Sequence, residues 1–201
     1  MKKHLFTLVC IMTGFIMAHA ATFEVGNFIY TTQSNGTVTC LGWNNTAGAQ
    51  HLTSLTIPGR VTYNGTEYRV SSVASSAFIN DIYIVSVRLG WGIETIGERA
   101  FRNCTRLANV TLPSSLTSIQ SNAFSNCNVL SSFRLSSATP PTLGSNVFDD
   151  SPKCSVVTSC YSYVSAYNAI SIWQNIDSDG KVSYDGSKQN HQWHGKSTNK
   201  T

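Results

Sequence analysis

The feature of this chain that most constrains its fold is an internal repeat of about 23 residues. Phe78, Phe101 and Phe124 each follow an alanine and are equally spaced, and Phe148 continues the series almost in step. Branched apolar residues recur around them at the same interval. Such a period is typical of solenoids, because one repeat cannot bury its own apolar edge until a neighbour stacks on it. The alternative, a chance apolar run in a β-sandwich, is disfavoured by the number of positions in register.

Each repeat predicts a short strand, a turn and a return segment. Val110 and Leu112 alternate with polar residues, as in a strand with one buried face. Pro113 ends this strand, because proline lacks the N–H that a ladder requires. Leu116 and Ile119 begin the return, and the Ala-Phe pair then points inward from the opposite side. The predicted core consists of Val73, Phe78, Val87, Leu89, Ile96, Phe101, Cys104, Val110, Leu112, Ile119, Phe124, Cys127, Phe133, Leu135 and Phe148.

The first twenty residues have the layout of a secretory signal peptide. Lys2 and Lys3 form a basic start, an apolar run follows, and Ala18-His19-Ala20 is a small-x-small cleavage site. The apolar run is too short to span a membrane, and no later segment is long enough. We therefore expect an exported protein, secreted or at the cell surface, without a transmembrane segment.

Both ends of a repeat stack would be exposed edges, and the sequence indicates a cap at each. Asn35-Gly36 and Asn64-Gly65 lie between strand-like segments and predict two β-hairpins at the N-terminal end. Residues 161–176 are rich in aromatics with helical spacing and predict a short helical C-terminal cap. The predicted organisation is a signal peptide (1–20), an N-terminal cap with the first coil (21–69), the repeats (70–152), a C-terminal cap (153–176) and a polar, disordered tail (177–201).

The best-formed repeat carries a specific resemblance. From Ile93 to Pro113 the chain reads I-x-x-I-G-x-x-A-F-x-N-C-x-x-L-x-x-V-x-L-P, which resembles the leucine-rich repeat of the BspA-like family. Asp81 and Ser151 depart from it, standing where Cys104 and Cys127 would recur. The resemblance implies a leucine-rich-repeat solenoid, mostly β, with short parallel strands joined by turns or short 3-10 or helical segments. It also implies an exported or surface protein that attaches to host extracellular matrix proteins or other microbes.

Composition and motifs argue against several function classes. Charged residues make up 12% of the chain, and the net charge is +4. Because the basic residues are not clustered, nucleic-acid binding is disfavoured. No nucleophile elbow or phosphate loop is present, so we expect no enzymatic activity and no cofactor. His191 and His194 lie in the polar tail. Asn175 begins a calcium-like loop that has Gly186 where the glutamate ligand would stand, so no metal site is predicted.

The cysteines leave alternatives open. Five remain after the predicted cleavage, so at least one is unpaired or pairs between molecules. Cys104 and Cys127 occupy equivalent positions in adjacent coils, where a strand spacing of about 4.8 Å would allow a disulfide. Buried thiols also pack as small apolar groups, and we favour that alternative. Cys154 and Cys160 could form a disulfide in the C-terminal cap.

The alternation that assigns the core also gives the outward strand positions, which form a polar, weakly basic strip. Such a strip suits hydrogen bonding to protein or glycan, or is an ordinary solvated sheet face. Trp91 replaces part of the usual Pro-Ser-Ser turn and is either an exposed contact residue or packed against a neighbouring turn. The candidate ligand-binding residues are Ser54, Thr56, Ser86, Arg88, Trp91, Asn109, Thr111, Ser132 and Arg134.

The sequence therefore favours an exported, non-enzymatic, adhesin-like binding protein that presents a leucine-rich-repeat surface to host matrix proteins or other cells. The step from fold to attachment is family analogy. Two alternatives stay open: a structural or scaffolding protein of the cell envelope, and a glycan-capture module. The expected partner is accordingly a protein, from the host matrix or the envelope, or a glycan.

Overall fold

The computed structural model describes residues 20–44 and 52–151, and the backbone of three further strands at 155–158, 182–185 and 192–193. The described residues form fifteen β-strands joined by turns, and none of them is helical. The strands are β1 (Thr22–Val25), β2 (Phe28–Thr32), β3 (Val38–Trp43), β4 (Ser54–Ile57), β5 (Arg60–Tyr63), β6 (Thr66–Val73), β7 (Ser86–Leu89), β8 (Thr95–Ile96), β9 (Asn109–Leu112), β10 (Ser118–Ile119), β11 (Ser132–Leu135), β12 (Thr142–Leu143), β13 (Ser155–Thr158), β14 (Val182–Asp185) and β15 (Gln192–Trp193).

The strands build two sheets, and each central repeat adds one strand to both. Sheet A has the order β1-β2-β3-β6-β8-β10-β12, with β5 beside β6, and sheet B has the order β4-β7-β9-β11-β13-β14-β15. Neighbouring repeat strands run parallel, so that Val87 pairs with Val110 and Val110 pairs with Phe133, one repeat further along the chain each time. This is the mostly-β repeat fold with parallel strands that the period predicts.

A column of phenylalanines runs through the centre of the stack. The ring of Phe101 lies nearly parallel to those of Phe78 and Phe124, with centroid distances of 5.3 and 5.2 Å. Such stacked pairs contribute about 0.5–1.5 kcal/mol beyond the burial of their area. Every residue assigned to the core from sequence is buried except Phe148, which is half-buried at the end of the column and stacks on Phe124 at 5.9 Å.

The turns between the sheets also repeat from coil to coil. Two residues in each coil adopt a left-handed backbone, as Arg99 (φ 56°) and Asn103 (φ 62°) do. Asparagine tolerates this conformation better than most residues, because its short side chain can hydrogen-bond locally. The Nδ2 of Asn103 donates to the Oδ1 of Asn80 at 2.6 Å, and the Nδ2 of Asn126 donates to the Oδ1 of Asn103 at 2.9 Å. The three residues form an asparagine ladder along one edge of the stack.

Both predicted hairpins are present at the N-terminal end. Strands β2 and β3 pair antiparallel across Asn35-Gly36, and β5 and β6 pair antiparallel across Asn64-Gly65. Strand β3 then pairs parallel with β6, which joins the cap to sheet A. Trp43 covers the first phenylalanine of the column edge-on, with its ring centroid 5.3 Å from that of Phe78, and its Nε1 donates to Asp81 at 2.7 Å. The cap thereby closes the exposed end of the core.

The C-terminal part of the chain is described only in three strands. Strand β13, inside the predicted C-terminal cap, pairs parallel with β11 in the register of a further coil. Strands β14 and β15 lie inside the segment predicted to be a disordered tail, and β14 pairs with β13. The predicted helix at 161–176 and nearly all of the predicted signal peptide lie outside the described residues. No helix among the described residues is long and apolar enough to cross a membrane.

Candidate functional site

The outward side chains of sheet B form two parallel rows, because successive strands pair in register. Thr56 pairs with Arg88, Arg88 with Thr111, and Thr111 with Arg134. The second row lies two residues earlier on the same face of each strand. We call these eight residues the polar face: Ser54, Thr56, Ser86, Arg88, Asn109, Thr111, Ser132 and Arg134.

Burial follows the strand alternation. In β7 the inward Val87 and Leu89 are buried, whereas Ser86 is half-buried and Arg88 is exposed. On the neighbouring strand, Ser54 accepts a hydrogen bond from the Oγ of Ser86 at 3.1 Å. Across the polar face, five residues are exposed (Ser54, Thr56, Arg88, Asn109 and Arg134) and three are half-buried (Ser86, Thr111 and Ser132). The structure thus brings all eight predicted strip residues onto one surface.

The polar face is positively charged and carries no carboxylate. Two of its eight residues are arginines, and the other six are uncharged. Two glutamates form ion pairs outside this face, Glu94 with Arg69 and Glu67 with Arg60. A surface with charge of one sign attracts groups of the opposite sign and accelerates their association.

Trp91 lies in the turn that follows β7, and 63% of its surface is exposed. The backbone of this turn is held in place by close packing. A Cβ atom on Gly59 would lie 1.7 Å from the carbonyl oxygen of Trp91, and one on Gly90 would lie 2.2 Å from the amide nitrogen of Gly59. The next residue, Gly92, donates its N–H to the Oγ of Ser115 at 3.0 Å. Of the two alternatives drawn from the sequence, the structure has Trp91 as an exposed aromatic, in a turn whose backbone packs closely on that of Gly59.

Sequence analysis missed a second set of exposed residues, at the turns that precede the sheet B strands. Tyr83 and Val129 are 39% and 49% exposed, and the exposed Arg106 lies at the equivalent position of the coil between them. Their spacing of one repeat is a visible signal, but the same spacing marks the buried apolar positions, so it does not distinguish an outward residue from an inward one. These residues border the polar face at the beginning of its strands.

The cysteines of the described residues are buried in the core. Cys40, Cys104 and Cys127 are buried thiols, and no disulfide joins Cys104 to Cys127. Two of these thiols donate to backbone carbonyls of the preceding coil, Cys104 to Phe78 at 3.2 Å and Cys127 to Phe101 at 3.3 Å. Burial raises the pKa of the Cys104 thiol and that of Cys40, the latter to about 12, which suppresses the nucleophilic thiolate. Cys154 and Cys160 lie outside the described residues.

Ser151 explains why the cysteine position tolerates a departure from the repeat. Its hydroxyl donates to the carbonyl of Phe124 at 2.6 Å, which is the bond that the thiols make in the two preceding coils. In these three coils the position therefore needs a small side chain with a donor, rather than sulfur, whereas Asp81 at the equivalent position one coil earlier accepts from Trp43 instead.

A catalytic or metal-binding arrangement is not apparent in the described part of the chain. Residues 20–44 and 52–151 contain no group of three or more side chains suited to holding a metal ion. A depression of about 310 Å³ lies on sheet A between β10 and β12, bordered by Glu98, Gln120 and Thr142. It is wide open to solvent.

The comparisons with known proteins agree with this geometry. The family model for the BspA type leucine rich repeat region matches residues 71–189 in six copies. The match extends beyond residue 152, the predicted end of the repeats. No curated protein matches the chain significantly.

Solved structures of other leucine-rich repeat proteins share the fold. The chain is 28% identical to a leucine-rich repeat protein from Bacteroides capillosus, with a TM-score of 0.60 over 69% of this chain and 99% of that one. It is 26% identical to a leucine-rich repeat protein from Bacteroides ovatus, with a TM-score of 0.57 over 68% of this chain. That second match spans 37% of the length of the Bacteroides ovatus protein.

Proposed function

Because the chain belongs to the BspA-type leucine-rich repeat family, we propose that it is an exported, non-enzymatic, adhesin-like binding protein. Its partner is a component of the host matrix or of the surface of another cell. Leucine-rich repeat proteins bind through the extended surfaces that their stacked strands present. The signal-peptide pattern of residues 1–20 supports export.

The observation that carries this proposal is the polar face of sheet B. It has no carboxylate, and its two arginines are exposed. Trp91, at the end of one of its strands, adds an aromatic side chain of the type enriched at binding hot spots. A rigid array of hydroxyl, amide and guanidinium groups can form many weak contacts at once with little loss of conformational entropy.

Binding of the immobilised full chain to three sets of probes tests this function. The probes are purified matrix proteins, matrix glycans and an envelope extract of the producing cell, all at physiological salt. We expect matrix components to bind and the Arg88→Ala/Arg134→Ala variant to lose most of that binding. The Arg60→Ala/Arg102→Ala variant removes the same charge outside sheet B and should bind as the unchanged chain does.

Three results would contradict the proposal. Binding of the envelope extract alone would favour a scaffolding protein of the producing cell. Equal loss of binding in both arginine variants would show that net charge, rather than the polar face, is responsible. Binding of soluble neutral glycans with no matrix component retained would favour the glycan-capture alternative.

A further inference from the structure

The two arginines of the polar face lie on alternate coils of one row. Arg88 and Arg134 each pair in register with Thr111, on either side of it. Parallel strands are spaced by about 4.8 Å, so the two arginine Cα atoms lie about 10 Å apart along the stack. Both side chains are exposed. The surface therefore places two positive charges two strand spacings apart.

Beside this charged row runs a row of uncharged hydrogen-bonding groups. Ser86, Asn109 and Ser132 pair in register on the same strands and face the same side. They precede the arginine row by two residues, which places the two rows about 7 Å apart. The face thus offers charge in one row and hydroxyl and amide groups in the other, both running across the strands.

This pattern discriminates between extended acidic polymers. In a peptide in the β conformation, side chains on one face recur about every 7 Å, which does not match the arginine spacing of about 10 Å. A polyproline II peptide repeats one face about every 9 Å, but it brings no row of hydroxyl groups to the serine and asparagine side chains beside the arginines. In a linear glycan, each sugar advances the chain by about one strand spacing, so a charge on every second sugar recurs at about the arginine spacing. The hydroxyls of the same sugars face the row of serine and asparagine side chains.

We propose that the polar face binds a linear acidic glycan, laid across the strands, in which every second sugar carries a carboxylate. The carboxylates pair with Arg88 and Arg134, and the hydroxyls of the intervening sugars hydrogen-bond to the uncharged row. Guanidinium and carboxylate groups are well matched for such paired hydrogen bonds. The inference rests on the proposed function, because it takes the polar face to be the contact surface.

Equilibrium binding of hyaluronan oligosaccharides to the full chain tests the inference. These probes carry a carboxylate on every second sugar, and chitin oligosaccharides of equal length serve as the uncharged control. We expect hyaluronan to bind more tightly than chitin and to weaken with rising salt. Arg88→Ala and Arg134→Ala should each weaken hyaluronan binding by about tenfold, which corresponds to about 1.4 kcal/mol. Arg102→Ala, in the turn between β8 and β9, should leave it unchanged.

The decisive variant keeps the charge and changes its spacing. Arg88→Thr combined with Thr111→Arg places the two arginines on adjacent coils at the same net charge. We expect this variant to fold, with an unchanged melting temperature, and to bind hyaluronan as weakly as Arg88→Ala does. Unchanged hyaluronan affinity in the exchange variant would overturn the inference, as would oligoglutamate binding as tightly as hyaluronan.

The two proposals fail in different ways. If matrix proteins bind and lose affinity in the Arg88→Ala/Arg134→Ala variant, while hyaluronan does not bind, the glycan inference is wrong and the proposed function stands. If matrix components, hyaluronan and the surfaces of other cells all fail to bind the full chain, both are wrong.

Discussion

Replacing Phe101 by alanine tests whether the phenylalanine column holds the coils together. Phe101 is fully buried and stacks on both neighbours, at 5.3 and 5.2 Å. A buried phenylalanine truncated to alanine costs about 3–5 kcal/mol. Phe148, at the end of the column, is half-buried; it stacks on Phe124 and meets Phe133 edge-on. We therefore expect Phe101→Ala to cost at least about 3 kcal/mol, and Phe148→Ala clearly less.

The measurement is urea unfolding of both variants and the unchanged chain, followed by circular dichroism. Phe101→Leu keeps most of the apolar volume and removes the two stacked pairs, so it should cost about 1–3 kcal/mol. A double-mutant cycle of Phe101→Leu with Phe124→Leu isolates one stack and should give a coupling of about 0.5–1.5 kcal/mol. The matched cycle of Phe101→Leu with Phe148→Leu joins rings two coils apart and should give a coupling near zero. Equal costs for Phe101→Ala and Phe148→Ala, or equal coupling in the two cycles, would refute the stacked column.

Three further changes have expected outcomes, each read from urea unfolding. Tyr30→Phe removes a buried hydroxyl that has no hydrogen-bond partner among the described residues. The free energy of unfolding should stay unchanged or rise by up to about 1 kcal/mol. A clear loss of stability would show that the hydroxyl does have a hydrogen-bond partner. Asn103→Gly and Asn103→Ala both break the asparagine ladder. Because glycine accepts the left-handed backbone and alanine does not, the alanine variant should be less stable than the glycine variant by about 1 kcal/mol. A glycine variant less stable than the alanine variant would contradict this expectation. Cys127→Ser keeps a donor for the Phe101 carbonyl and should lose less stability than Cys127→Ala, and a more stable alanine variant would show that the donor is unimportant.

The repeated part of the fold can be predicted from sequence because its cause is periodic. A coil that buries Val110 and Leu112 must place Val87 and Leu89 directly below them, so one alignment assigns every coil. The hairpin of β5 and β6 is equally predictable, since Asn64 and Gly65 both adopt the left-handed backbone that a two-residue turn requires.

Features that depend on packing between coils cannot be predicted in the same way. The exposure of Trp91 follows from backbone contacts between its turn and the turn at Gly59, which belong to different coils and leave no pattern in either segment. Ser151 is visible in the sequence as a departure from the cysteine position, but its hydrogen bond to the Phe124 carbonyl needs coordinates. The spacing of Asn80, Asn103 and Asn126 is visible in the sequence and hints at the asparagine ladder. The left-handed backbone that favours asparagine at these positions is seen only in the structure.

The same strands carry the core on one side and the candidate binding surface on the other. A change in the core should therefore affect binding, whereas a change on the binding surface should not affect stability. Changing Arg88 or Arg134 removes an outward group and leaves Val87 and Leu135 packed as before, so affinity can vary without loss of the fold. Loss of Phe101, in contrast, loosens the stacking that sets the spacing between coils. A surface that recognises its ligand by spacing would then lose affinity although every contact residue is still present. Core variants that remain folded should therefore weaken binding in proportion to how far they disturb the register of β7, β9 and β11.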